Sequence, residues 1–166
     1  MDNALKTLFI TIFLFNSTVF ADTLVLSTHL KVEYPSPAMI GHGDSYLLVK
    51  YKNWSFSHEH FNPKTFYQQI DLTGLEKIFV RSIYEKTQRD KLPEWLSVVS
   101  RQFSEGLKNN PDSIKKYKVG AAEIYSGHDN KEQGQIFIIE DLVIHHISVS
   151  GTKKELDLIA KNIKER

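Results

Sequence analysis

Residues 135–160 read Gln135-Ile136-Phe137-Ile138-Ile139-Glu140-Asp141-Leu142-Val143-Ile144-His145-His146-Ile147-Ser148-Val149-Ser150-Gly151-Thr152-Lys153-Lys154-Glu155-Leu156-Asp157-Leu158-Ile159-Ala160. Two β-rich runs, 135–139 and 142–150, are separated by Glu140-Asp141, a spacing that predicts a tight antiparallel pair. Gly151-Thr152-Lys153-Lys154-Glu155 then has the form of a capping box, in which a threonine hydroxyl and a glutamate three residues on satisfy each other's orphan amides. Behind it Leu156, Ile159, Ala160 and Ile163 fall on one helical face. Strands joined by tight turns and then followed by a helix point to an antiparallel sheet and an α+β fold, not to alternating βαβ units.

Working outward, the first half reads as strands from residue 24 to residue 61. Leu24-Val25-Leu26 and Leu30-Lys31-Val32-Glu33-Tyr34 alternate and pair as a meander, with Pro35 and Pro37 stopping the second. Gly41-His42-Gly43-Asp44 is a turn signal. Residues 46–51 are β-rich. Residues 53–61 alternate, which places Trp54, Phe56, His58 and His60 on one face and Ser55, Ser57 and Glu59 on the other. The middle is helical. Pro63 opens a short helix through residue 69, and Thr73-Gly74-Leu75-Glu76 fits a capping box ahead of Leu75, Ile78, Phe79 and Ile83. Leu92-Pro93-Glu94 opens a longer helix whose stripe is Leu92, Trp95, Leu96, Val99, Phe103 and Leu107, ended by Asn109-Asn110-Pro111. Strands return at 117–125, where Gly120-Ala121-Ala122 marks close approach by a neighbour, and His128-Asp129-Asn130-Lys131 is a turn. The expected architecture is an antiparallel sheet covered by helices, in the order strands–helices–strands–helix, within one α+β domain over residues 22–166.

The stretch from Gln135 to Ile159, with its closing strand pair, Ser150-Gly151-Thr152 turn and final helix, resembles the Mog1/PsbP-like fold, which includes the DcrB-type periplasmic proteins. Tyr34-Pro35-Ser36-Pro37 partly matches the Pro-x-Gly-Trp element of that family. The resemblance implies a binding or accessory protein and carries no functional residues over.

Residues 1–21 have the form of a signal peptide. Lys6 gives a positive start, the run 8–15 is apolar apart from Thr11, and Val19 and Ala21 stand at positions −3 and −1 of a cut before Asp22. The apolar run is shorter than the roughly 20 residues of a membrane span, so no span is expected after cleavage, and no cysteine near the cut offers a lipid anchor. The whole chain of 166 residues carries a formal charge of +1 and no cysteine. A near-neutral chain lacks the basic footprint of nucleic-acid binders. An exported domain without disulfides must hold by packing alone, which points to a periplasmic or secreted protein.

His58-Glu59-His60 is the clearest candidate for chemistry. On a strand the two histidines point the same way about 7 Å apart, so both reach one metal ion, zinc or copper suiting imidazole. A third ligand must come from elsewhere, from residues such as His42, Asp44, His128 or Asp129. His145 and His146, as strand neighbours, face opposite sides and form no site with each other. Ser126-Gly127-His128-Asp129 contains triad residue types but reads as a turn, and Glu140-Asp141 reads as solvated turn carboxylates. Lys115-Lys116-Tyr117-Lys118 reads as a solvated sheet edge. With no nucleophile elbow and no catalytic thiol, the expectation is a non-enzymatic, cofactor-free periplasmic binding or accessory protein that acts on a protein partner through its surface, an immunity protein against a periplasmic toxin being one version. A metal or small-ligand binding protein using His58 and His60 is the alternative, and a hydrolase with an unrecognised site is the second.

Overall fold

The computed structural model describes residues 22–65, 70–107 and 111–166. The signal peptide read at 1–21 and most of the helix expected at 63–69 lie outside the described residues. Among the described residues no helix is long and apolar enough to cross a membrane.

The strands are β1 (Asp22–Val25), β2 (Leu30–Tyr34), β3 (Met39–His42), β4 (Tyr46–Lys50), β5 (Ser55–His60), β6 (Lys115–Val119), β7 (Ala122–His128), β8 (Gln133–Ile139), β9 (Ile144–Ser150) and β10 (Ile163–Glu165). The α-helices are α1 (Glu76–Tyr84), α2 (Lys86–Arg89), α3 (Glu94–Gly106) and α4 (Lys153–Lys161). Seven strands form one antiparallel sheet in the order β3-β4-β5-β9-β8-β7-β6, and β1-β2-β10 form a second. The fold is α+β, and apart from the closing strand β10 the strand and helix order is the one read from the sequence.

The large sheet is buried on both faces, which explains why β8 is apolar without alternation. Ile136 and Ile138 join a core with Leu30, Val32 and Tyr34 of β2, Leu156 and Ile159 of α4, and Ile163 of β10. Phe137 and Ile139 point the other way, into a core with Phe79, Val80 and Ile83 of α1 and Leu96 of α3. Three layers result: helices α1–α3, the seven-stranded sheet, and the small sheet with α4.

Several local expectations are corrected. The strand expected at 117–125 is two strands, because Gly120 takes a left-handed φ of 55° and turns the chain between β6 and β7. The capping box at Thr73 does not form. The Thr73 amide and hydroxyl both donate to the Asp71 carboxylate, Gly74 takes φ 81°, and α1 begins at Glu76 with no side-chain cap. The turn placed at Gly41-His42-Gly43-Asp44 starts only at Gly43, since β3 runs through His42. Ile163 continues not the helix but β10, a strand unmarked in the sequence, which pairs with β2. The second capping box forms as read: Thr152 caps α4 and Glu155 reaches back to it.

Candidate metal centre

The sheet order brings two separate meanders together at β5 and β9, and the register there decides the site. β5 runs antiparallel to β9 with His60 opposite His145, Glu59 opposite His146 and His58 opposite Ile147. Opposed residues point to the same face of a sheet. Phe56, His58 and His60 therefore share their face with His145, Ile147 and Val149. Phe56, Ile147 and Val149 are core residues there, and the three histidines continue that row to its solvent-facing end.

The rings form a compact triangle. Their centroids are 5.5 Å apart for His58–His60, 5.3 Å for His58–His145 and 5.1 Å for His60–His145. One ligand nitrogen from each lies within 4.8 Å of the others. His58 Nε2 and His145 Nδ1 are already 3.1 Å apart. A tetrahedral ion with Zn–N bonds of about 2.1 Å separates its ligand nitrogens by about 3.4 Å, a spacing the His58–His145 pair already approaches, and His60 supplies the third donor. It is also the exposed member, whereas His145 is fully buried.

Protonation favours ligation. Burial, and after it the neighbouring His145 and His60 rings, pushes His58 down to about 4. Burial also lowers His145, against the opposing pull of Glu140. Both rings are neutral at pH 7, the state a metal requires. His145 Nε2 lies 2.9 Å from Glu140 Oε1. The carboxylate only accepts, so Nε2 donates and Nδ1 keeps its lone pair on the side of His58. The other Glu140 oxygen accepts from Ser27 Oγ at 3.0 Å. A carboxylate behind a ligand histidine is the usual support of a metal site.

No protein-family model, curated protein or solved structure matches the chain.

His58 and His60 stand where the sequence placed them, on one face of a strand. The third histidine is His145, not one of those considered. His42 lies on β3, separated from β5 by β4. Asp44 is exposed in the β3–β4 turn. His128 is buried at the far end of β7, where its Nε2 meets the Gly151 carbonyl and its Nδ1 accepts the Asn130 amide. Asp129 accepts the amides of Lys131 and Gln133, which closes the β7–β8 turn.

The opposite orientation of His145 and His146 holds as read. His146 stacks on Phe137 with centroids 4.5 Å apart, and its ring nitrogens face Glu59 and Gln135. Of the Glu140-Asp141 pair only Asp141 is solvated. The Glu140 side chain is 13% exposed and turns inward to His145. Glu140 also lines a cavity of about 680 Å³ between the β1–β2, β6–β7 and β8–β9 turns, bordered by Ser27, Leu30, Ala122, Leu142 and Glu165.

Proposed function

We propose that this protein binds a divalent transition metal, zinc or copper, through His58, His60 and His145, and does so outside the cytoplasm if residues 1–21 direct export. The observation that carries this reading is the convergence of three imidazoles from two strands, two of them neutral at pH 7 and one backed by a carboxylate. Three histidines leave a tetrahedral ion one exchangeable position. A nitrogen-only donor set suits copper(II) and zinc and is poor for calcium or magnesium. Equilibrium dialysis of the purified protein against zinc and copper(II) tests the reading. One ion per chain is expected, with a loss of at least a hundredfold in affinity for His58→Ala and His145→Ala. Stoichiometric binding that survives both substitutions, or no binding to the wild type, overturns it.

A second reading, in which the protein acts on a partner through its surface, is favoured by the β3–β4 hairpin at the sheet edge. There Met39, Ile40 and Tyr46 are 50%, 46% and 50% exposed. Apolar and aromatic side chains on an unpaired edge are the raw material of strand addition and interfaces. Crosslinking in a periplasmic extract from a residue placed at Ile40 tests it: a discrete adduct lost in Tyr46→Lys supports a docking edge, and no adduct rules it out.

A further inference from the structure

We propose that Glu140 is a positioning residue that fixes the tautomer of His145 and thereby makes its Nδ1 a ligand. This inference rests on the metal-binding reading of the same site. It follows from counting hydrogens along the chain Ser27–Glu140–His145–His58. The Ser27 Oγ accepts the amides of His29 and Leu30, both at 3.1 Å. With both acceptor positions used, the hydroxyl has only its proton left to offer, and it donates that proton to Glu140 Oε2. Glu140 Oε1 then takes the proton on His145 Nε2. A neutral imidazole carries one N–H, so His145 Nδ1 has a free lone pair, and His58 Nε2–H donates to it across 3.1 Å. A metal ion replaces that last proton, and His58 moves to its Nδ1–H tautomer with no net proton change at the pair.

The same count predicts what an amide does at position 140. In Glu140→Gln the –NH2 group cannot face Ser27, because Ser27 has no acceptor position left. The amide oxygen must take the Ser27 proton and the –NH2 must face His145. His145 Nε2 is then obliged to accept, and its proton moves to Nδ1, where it blocks the metal. A substitution that preserves shape thus reverses the polarity of the relay.

The test is histidine side-chain 15N NMR of the metal-free protein, paired with zinc dialysis. In the wild type, His145 is expected as the Nε2–H tautomer. In Glu140→Gln it is expected as Nδ1–H, with a tenfold to hundredfold weaker zinc affinity, in the range seen when a carboxylate behind a ligand histidine is removed, and an unchanged far-UV circular dichroism spectrum. An Nδ1–H tautomer in the wild type overturns the proposal whether or not the variant folds. So does an unchanged tautomer or unchanged zinc affinity in a folded Glu140→Gln. Wild-type protein with the expected tautomer but no zinc binding removes the metal reading and leaves the tautomer assignment standing.

Discussion

Single side chains here act mainly by where their hydrogens go. Ser82 and Ser100 are fully buried and join α1 to α3. Ser82 Oγ donates to the Phe79 carbonyl, so the Ser100 hydroxyl donates to Ser82 across 2.6 Å. Ser82→Ala takes away the acceptor of the Ser100 hydroxyl proton while Ser100 Oγ still accepts from Arg89 Nε at 3.3 Å, an expected cost of about 1 kcal/mol. The double change Ser82→Ala/Ser100→Ala removes both polar groups and should cost less than the sum of the single changes, a coupling that urea titration of the four proteins measures. At the surface, Arg81 holds Glu123 in a two-pronged ion pair at 2.9 and 3.1 Å, and the guanidinium lowers the Glu123 carboxyl. A carboxyl lowered on folding stabilises the native state above its unfolded value, and that contribution fades as the pH falls through the folded one. Glu123→Gln should therefore lower Tm at pH 7, and the gap to wild type should shrink below pH about 4.5. A gap independent of pH contradicts this.

The candidate metal site was half legible at this scale. His58 and His60 announce themselves because strand periodicity alone puts them on one face. His145 does not, because its place opposite His60 depends on which strand neighbours β5. Glu140 was hidden by its position in a turn: composition assigns such a carboxylate to solvent, and only its tertiary partners, the buried ring of His145 and the Ser27 hydroxyl, draw it inward. The signal that was available is the histidine in the second strand of the hairpin at 135–150, on the face opposite to His146.

At the scale of elements, local hydrogen bonding decides where helices and strands begin. The two matching capping-box sequences differ because Asp71 takes the Thr73 amide and the left-handed Gly74 starts α1 beyond it, whereas the Thr152 amide and hydroxyl both donate to Glu155 while the hydroxyl accepts the Lys154 amide. Thr152→Ala should cost about 1 kcal/mol, and Thr73→Ala should leave α1 intact, which helicity and Tm of the two variants compare. The split of 117–125 into a hairpin rests on one residue. Gly120 has a left-handed φ, and a Cβ there also meets the Glu165 carboxylate. Gly120→Ala should destabilise by about the cost of backbone strain, of order 1 kcal/mol, because the exposed Glu165 side chain can swing its carboxylate away from the added Cβ. Sequence periodicity marked both flanks of this turn as strand and gave no hint of the reversal, since glycine in a strand and glycine in a turn look alike without φ. β10 was invisible for a similar reason: Ile163 fits the helical stripe of α4 equally well.

For the molecule as a whole, one sheet carries two cores, and each apolar residue of β8 belongs to one of them. Phe137→Ala and Ile136→Ala open cavities on opposite faces, and each should cost about 2–5 kcal/mol. Because the faces share the same strands, both variants should still unfold in one step, with calorimetric and van't Hoff enthalpies equal. Two transitions in either variant refute the shared-sheet account.

The small sheet also imposes a schedule. β2 is held between β1 on one side and β10 on the other, so an early strand waits for residues 163–165 before its second edge is paired. His58 and His60 wait in the same way for β9. On the proposed reading of residues 1–21 as an export signal, a chain threaded unfolded across a membrane carries His58, His60 and His145 over before the strand pairing that gathers them exists. Ion capture, on the proposed metal-binding reading, is then deferred to the side on which the last strand arrives, and the metal acquired is the one offered there.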